Sequence, residues 1–597
     1  MDLCRFSTKR GILLPILPIL FCSIVLLLLG IRVAMAEEAG TIVSVVGRVE
    51  VFRARQWQPV GLRYVLAPGD VVRTGPGSRA AILLSDESQI KVNANSTLEI
   101  MAVMPAPGRP ARAAVGALQT ILNLLKGEVW SASHGRPFQI RTPAATATIR
   151  GTEFDLAIGP GNESRLAVLE GAVEFRNPQG GVVVRAGEAA TAKVGEPPSK
   201  TLLLKPLDAV QWSLYYPGIV SFRDYPLTGV APNLLPERLA DAEQRAASAP
   251  ADPEARLTLG EILFDLGRPV EARREFETAL TLNPGSPRAL AGLGWAYLME
   301  RRLQEALGAF QRATPPTLSA LVGQANTLYR LDRFDEMEAV IAEAKGRFPS
   351  SPQPSTQAAL LDLIQGRVGE ARQELEHALA LDPGYAPAHG LRSNIALVRN
   401  EKGVAHQAAL QAITANPFSA SSYLDLSLAK QAEFQLDEAL QAARKAMELE
   451  PDNPMAMIQV GRLLFGLGRL SEALSVTEEA RRRAPQDPLI ISTYGFLLLA
   501  QGKVHEALAT LDQAIEQDST RGEPHLGRGL AFFRQNKTDE AVQEMRIATL
   551  LEPKVSLFWS YLGKALYEVK RYPQDGDPLA VAKQLDPKDP TPWFYDA

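Results

Sequence analysis

Pro454-Met-Ala-Met-Ile-Gln-Val-Gly461 is followed 34 residues later by Pro488-Leu-Ile-Ile-Ser-Thr-Tyr-Gly495, and this spacing decides how the second half of the chain is read. Working outward, starts at Pro253, Pro287, Leu318, Pro352, Ala386, Ala420, Pro454, Pro488, Gly522 and Ser556 keep the 34-residue interval except the second, which is 31. Self-similarity at a fixed period outranks other signals, because each unit has to bury its apolar face on the next. Position 8 of every unit is Gly, Ala or Ser, from Gly260 through Ser393 to Gly563, and position 27 is alanine from Ala279 to Ala582. Small side chains at fixed points of a helical pattern are needed where two helices cross closely. Position 20 is alanine eight times, broken by Met337 and Asp575; position 32 is proline from Pro284 to Pro587, with Leu318 and Ser519 as exceptions. Proline just past a helix end stops that helix and frees the chain to begin the next, so each unit reads as helix, turn, helix.

These residues resemble the tetratricopeptide repeat (TPR), and the resemblance implies an all-α superhelical solenoid of ten repeats over 253–587. In that fold the first helix of each repeat faces a concave groove through positions 2, 5, 9, 12 and 13. Mapped here, these give Phe264, Trp295, Tyr329, Phe465, Phe496, Phe533 and Tyr567, with Asn326, Asn394, Arg462 and Arg534 among them. Apolar and aromatic positions bounded by a few polar ones suit an extended or helical peptide from a protein partner. The competing reading makes each of them a core contact with the neighbouring repeat. A basic two-carboxylate clamp is not expected, because Val322, Asn326, Thr356 and Leu360 stand where its lysines would be. Residues 234–252 read as an amphipathic helix that caps the first repeat, with Pro236 acceptable in its first turn. At the other end Pro573 and Pro578 delay the second helix of the tenth repeat to near Leu579. Residues 588–597 read as the start of an incomplete eleventh repeat with Trp593 at position 4, so the natural chain is expected to continue past Ala597. The alternative is that Trp593, Phe594 and Tyr595 fold back as an apolar plug.

The first half follows a different period. Thr41 to Val51, Ala80 to Leu84, Gln89 to Val92, Leu166 to Leu169 and Gly181 to Val184 are short β-branched runs, punctuated by turn signals such as Pro68-Gly69-Asp70 and Gly75-Pro76-Gly77. They predict an all-β domain over 40–195, a sandwich or roll of short antiparallel strands, with only Ala113 to Leu125 suited to a helix. Leu66-Ala-Pro-Gly-Asp70, Gly127-Glu-Val-Trp130, Leu169-Glu-Gly-Ala-Val173 and above all Thr142-Pro-Ala-Ala-Thr-Ala-Thr-Ile-Arg150-Gly151-Thr152-Glu153-Phe154 resemble the FecR-type periplasmic domain. Read physically, the last of these is a strand entering a tight bend at Gly151, with Arg150 and Glu153 near enough to pair. That pair is read either as part of a recognition surface or as an ion pair fixing a corner. FecR regulators carry a sigma-binding segment before their membrane helix. Only ten residues precede the apolar run here, so direct sigma regulation does not carry over, and what the resemblance implies is a domain that touches envelope proteins or cell-wall components.

Arg5, Lys9 and Arg10, an apolar run from Gly11 to Ile31 and Ala34-Met35-Ala36 read as a secretory signal peptide over 1–36, with an uncleaved inner-membrane anchor over 11–31 as the alternative. A lipoprotein reading through Cys22 is weaker, since Phe21 sits where a small residue is wanted. Cys4 and Cys22 are the only cysteines, so the exported remainder is free of thiols, which suits the periplasm of a Gram-negative bacterium. A formal charge of −4 over 597 residues argues against a nucleic-acid partner. Residues 196–233 form an aromatic and proline-rich junction in which Trp212, Tyr215 and Tyr216 either wedge the two domains or line a ligand site. The six histidines lack metal spacing, and His505-Glu506 is followed by Ala509 where a zincin would place its second histidine. Nucleophile elbow, phosphate loop and calcium loop are all missing from the sequence. We therefore expect a non-enzymatic envelope scaffold without cofactor or metal. The alternatives are a cell-wall or polysaccharide-binding module assembled by its repeats, and a component of a complex whose active subunit lies elsewhere.

Overall fold

The computed structural model describes residues 38–103, 120–132, 138–149, 151–202, 225–230, 232–331, 333–569 and 577–595. The signal-peptide segment, Arg150, the junction aromatics Trp212, Tyr215 and Tyr216, and Asp575 all lie outside the described residues.

The β domain is a two-layer sandwich. In order of pairing, one layer runs β4 (Val65–Leu66), β1 (Gly40–Val46), β6 (Arg79–Leu84), β7 (Gln89–Val92), the C-terminal half of β9 (Thr120–Ala132), β12 (Glu153–Ile158), β13 (Ser164–Glu170), β16 (Glu188–Ala192) and β17 (Ser199–Leu202). The other runs β3 (Gln56–Pro59), β2 (Val49–Arg53), β5 (Val71–Thr74), β8 (Thr97–Ala102), the N-terminal half of β9, β10 (Phe138–Arg141), β11 (Thr146–Ile149), β14 (Ala172–Asn177) and β15 (Gly180–Arg185). Alternation puts Leu98 and Ile100 of β8 inside and Thr97 and Glu99 toward solvent, the pattern of a half-buried strand. Ile42, Ile82, Ile90, Phe138, Phe154 and Phe175 fill the space between layers.

Strand β9 joins the layers by turning at Gly127, whose φ is +85°; a Cβ there would lie 2.5 Å from the Cα of Ser96, so only glycine fits the corner. The sequence-based helix over Ala113 to Leu125 is corrected here. Thr120–Leu125 is strand, with Leu122 and Leu124 inward and Thr120 to Asn123 paired in parallel with β10, while residues 113–119 lie outside the described region. Small and apolar residues at both spacings left helix and strand open, and the pairing with β8 and β10 chose strand.

From Leu235 onward the chain is helical, with paired helices beginning at Pro253–Asp265 and Pro269–Leu282 and recurring to Ser556–Glu568 and Pro578–Leu585. The first helices start sharply because Asp252, Ser286, Thr317, Ser351, Ser419, Asn453 and Asp487 each accept a bond from a first-turn backbone N–H. They end just as sharply on a left-handed residue at position 15: Gly267, Arg301, Gly366, Asn400, Phe434, Gly468, Gly502 and Asn536 all have positive φ. The second repeat has a second helix of 10 residues, Leu303–Arg312, against 14 in Pro269–Leu282, which is the structural form of its 31-residue interval.

The small residue at position 8 is explained by what position 24 places on it. Phe276 lies between Gly260 and Gly292, Phe310 between Gly294 and Gly323, and Leu511 between Gly495 and Gly527. A Cβ on Gly294 would come within 2.6 Å of the Phe310 ring. Each of these side chains is a key between one repeat and the next. The array also touches itself at longer range: the Asn400 amide donates to the Leu585 carbonyl at 2.5 Å and Lys402 pairs with Asp586 at 2.6 Å, joining the fifth and tenth repeats. At the far end, helix Pro590–Tyr595 carries Trp593, whose indole N–H donates to the Pro587 carbonyl at 3.2 Å just as Trp559 donates to Pro553 at 2.8 Å. Phe594 stays 75% exposed.

Candidate partner-binding surfaces

Two surfaces are made by the fold: a face between the β domain and the array, and the concave side of the repeats. The first joins residues more than 400 positions apart. Val43, Ala81, Leu83, Trp130 and Ala132 of the sandwich pack on Ile547, Leu550 and Leu551 of helix Thr538–Leu551. Around this apolar patch, Gln89 donates to the Arg546 carbonyl at 3.2 Å, Arg546 pairs with Glu87 at 2.7 Å, Arg63 with Asp512 at 2.5 Å, and the Val45 N–H donates to the Ser519 hydroxyl at 3.1 Å. The Lys91 ammonium donates to the Leu551 carbonyl at 3.1 Å and lies 5.3 Å from the centre of the Trp130 ring.

The stretch from Thr142 to Phe154 is placed partly on this face. The Trp130 indole donates to Glu153 at 3.1 Å, and Lys554 of the array approaches the same carboxylate at 3.9 Å. Thr142 ties its own turn, exchanging bonds with Ala145 and meeting Ser164 at 2.6 Å. Gly151 has φ +65°, the Thr152 hydroxyl donates to the Ala172 carbonyl, and Phe154 is core. Among the described residues Glu153 therefore works with Trp130 and Lys554; its pairing with Arg150 falls outside them.

Burial pushes the Lys91 ammonium down to about 7, with Arg79 and Lys554 lowering it further and Glu552 and Glu153 opposing. Below about 7 the docked and undocked forms both carry the proton, and the cost of burying that charge is fully present. Between there and the ordinary lysine value the docked form has shed the proton and the undocked form has not, so docking strengthens as pH rises. Melting temperature followed from pH 6.5 to 9 is expected to climb in the wild type, and to climb less in Lys91→Met. Parallel profiles for the two proteins would contradict the assignment.

The aromatic residues expected to line the concave side fall into four settings. Phe264 and Trp295 are fully buried by the chain's own packing: the Trp295 indole donates to Ser319, its ring meets Phe310 edge-on at 5.8 Å, and Tyr225 stacks on it at 5.6 Å. Tyr329 borders a cavity of about 1060 Å³ between the third and fourth repeats, the eighth repeat and the β1 edge of the sandwich. Phe465, Phe496 and Phe533 converge, with Leu499, Leu530 and Tyr561, on a cavity of about 360 Å³ rimmed by Arg534, Lys564 and Glu568. Tyr567 is 53% exposed and stands apart from it.

The docking helix is the element that sequence reasoning passed over. Its signal lies in two repeat positions. Position 26 is polar in each of the first eight repeats, from Thr278 to Gln513, but Ile547 in the ninth; position 29 is small or polar in those eight, as at Thr281, Ala380 and Glu448, but Leu550 in the ninth. An apolar residue on a face that the other repeats give to water marks a contact outside the array. Among the described residues there is no cluster of three His, Cys, Asp or Glu able to hold a metal ion, and no helix long and apolar enough to cross a membrane.

Comparison with protein families matches the FecR protein family over residues 70–174, and two tetratricopeptide repeat families over 237–287, 257–319, 497–549 and 526–590 and over 431–492. Among solved structures, a chain of the APC/C hetero-tetramer Cut9-Hcn1 is similar at 14% identity and a TM-score of 0.33, over 62% of this chain and 90% of that one. Comparison with curated proteins returns no match.

Proposed function

We propose that this chain, which joins a FecR domain to an array of tetratricopeptide repeats, is a protein-interaction scaffold that acts without catalysis in the envelope of a Gram-negative bacterium, holding a protein partner in the cavity of its last four repeats. The observation that carries this reading is the convergence of Phe465, Phe496 and Phe533 on one apolar cavity whose rim bears Arg534, Lys564 and Glu568. An opening of about 360 Å³ takes one or two large apolar side chains of an extended or helical peptide, and the mixed charges at the rim orient the segment that carries them. Export is supported by the basic residues, apolar run and Ala34-Met35-Ala36 site at the start of the chain. The sandwich is the part that docks to or senses an envelope component.

The test uses the full chain with a C-terminal tag, cross-linked in the periplasmic fraction. A defined partner is expected to co-purify with protein whose first residue is Glu37. The double variant Phe465→Ala/Phe496→Ala is expected to weaken that complex by about 2 kcal/mol or more, the scale of interface anchors. Undiminished capture by a double variant whose circular dichroism matches the wild type would remove the cavity from the binding site. Co-sedimentation with peptidoglycan in place of any protein partner would favour a wall-binding module.

A further inference from the structure

The concave side of the first four repeats already holds a peptide, and it is the chain's own. Tyr225, in the segment just before the capping helix Leu235–Ser248, stacks on Trp295 with ring centres 5.6 Å apart and planes 24° from parallel. Its hydroxyl accepts a bond from the Gln357 side-chain amide at 2.6 Å, so one side chain spans the second and fourth repeats. Two residues on, the Leu227 and Thr228 backbone N–H groups donate to the two oxygens of Asp265 at 2.9 and 3.0 Å, and the Thr228 hydroxyl donates to the same carboxylate. Leu227 and Val230 pack against the apolar cluster that contains Phe264 and Leu298.

This is how an extended peptide is recognised: an aromatic anchor in a pocket, backbone groups held by a side chain, and a hydroxyl read by the same side chain. The floor has polar capacity beyond what the segment uses. Asn326, wholly buried, bonds through neither its amide nitrogen nor its oxygen among the described residues, and the Gln357 oxygen is likewise without a partner. Buried amides left open are costly, and they match the N–H and C=O groups of a bound backbone.

We propose that the groove of the first four repeats is a peptide-recognition site which the chain fills with its own Tyr225–Val230 segment, and that an extended partner peptide presenting the same Tyr-Pro-Leu-Thr chemistry binds there once that segment leaves. The site is separate from the cavity of the last four repeats. Because the segment runs directly into the capping helix, its effective concentration at the groove is on the order of millimolar, and a free peptide at micromolar concentration meets a closed site.

The experiment measures anisotropy of a labelled peptide with the sequence of residues 222–231 on the full chain. Tyr225→Ala is expected to bind it at least about tenfold more tightly than the wild type, since the apparent affinity scales with the fraction of open groove. A peptide with alanine for its tyrosine is expected not to bind, and adding Asp265→Asn to Tyr225→Ala is expected to abolish binding. Should Tyr225→Ala fail to fold, Thr228→Val, which keeps the ring and removes one bond to Asp265, is read in its place with the same direction of change. Equal binding by wild type and variant would overturn occupation in cis. No binding to a folded variant would overturn recognition itself.

Discussion

Replacing Phe310 by alanine is expected to destabilise the array by about 3–5 kcal/mol, the range for deleting a buried phenylalanine whose surroundings relax only in part. Its ring is 1% exposed and stands between Gly294 of its own repeat and Gly323 of the next, edge-on to Trp295. Neither glycine can reach into the space the ring leaves. Repeats of a solenoid pack chiefly on their neighbours, and the longer-range contact here joins the fifth and tenth repeats, so a key lost from the second weakens one interface and the chain unfolds there first. The second repeat also has a second helix of only 10 residues, against 14 in the repeats on either side. Denaturant unfolding followed by circular dichroism is expected to split, with the first repeats melting at lower urea. A single transition shifted by less than about 1 kcal/mol would mean that the ring is not the key its geometry makes it. The same change loosens the seat of Tyr225, since Trp295 lies between the two rings.

The repeat was legible because burial recurs at fixed positions. Gly260, Gly461 and Gly495 are small for one physical reason, the side chain at position 24 laid across them, and ten copies of that constraint leave a period no composition bias imitates. The sandwich was legible from Leu98 and Ile100 and their alternating neighbours, although Thr120 to Leu125 satisfied two periods at once and only its partners β8 and β10 decided it. The concave aromatics could be mapped but not sorted. Phe465, Phe496 and Phe533 share a cavity, whereas Phe264 and Trp295 are buried, and what stacks on Trp295 is a tyrosine 70 residues earlier that belongs to no repeat. Exceptions to the pattern carried the remaining information. Ser519 stands where most repeats have proline, and its hydroxyl bonds both the N–H and the carbonyl of Val45. A contact made once leaves no period, so it is written only as a departure from one.

Leu550 is such a departure, and Leu550→Asp is expected to release the β domain from an array that stays folded. At position 29 the other repeats tolerate Glu448, Arg482 and Glu516, all on the water-facing side of a second helix, so an aspartate there asks nothing new of the solenoid itself. The cost falls on docking. Leu550 is fully buried against Val43, Ala81, Leu83 and Trp130, and losing that burial removes about 1.5–3 kcal/mol. A carboxylate buried in the same place adds a desolvation cost of several kcal/mol, set against its attraction to the Lys91 ammonium on the neighbouring Leu551 carbonyl. Of the surrounding contacts the Arg63–Asp512 pair is exposed, and water replaces it at little loss. X-ray scattering is expected to show a larger radius of gyration for the variant with an unchanged far-ultraviolet spectrum. Lys91 returns to water at the same time, so the rise of melting temperature between pH 6.5 and 9 is expected to vanish along with the compact form. A variant that keeps both its compact radius and its pH dependence would show that the sandwich is held by something other than the ninth repeat. If instead the radius grows while the pH dependence persists, the titrating group is not Lys91.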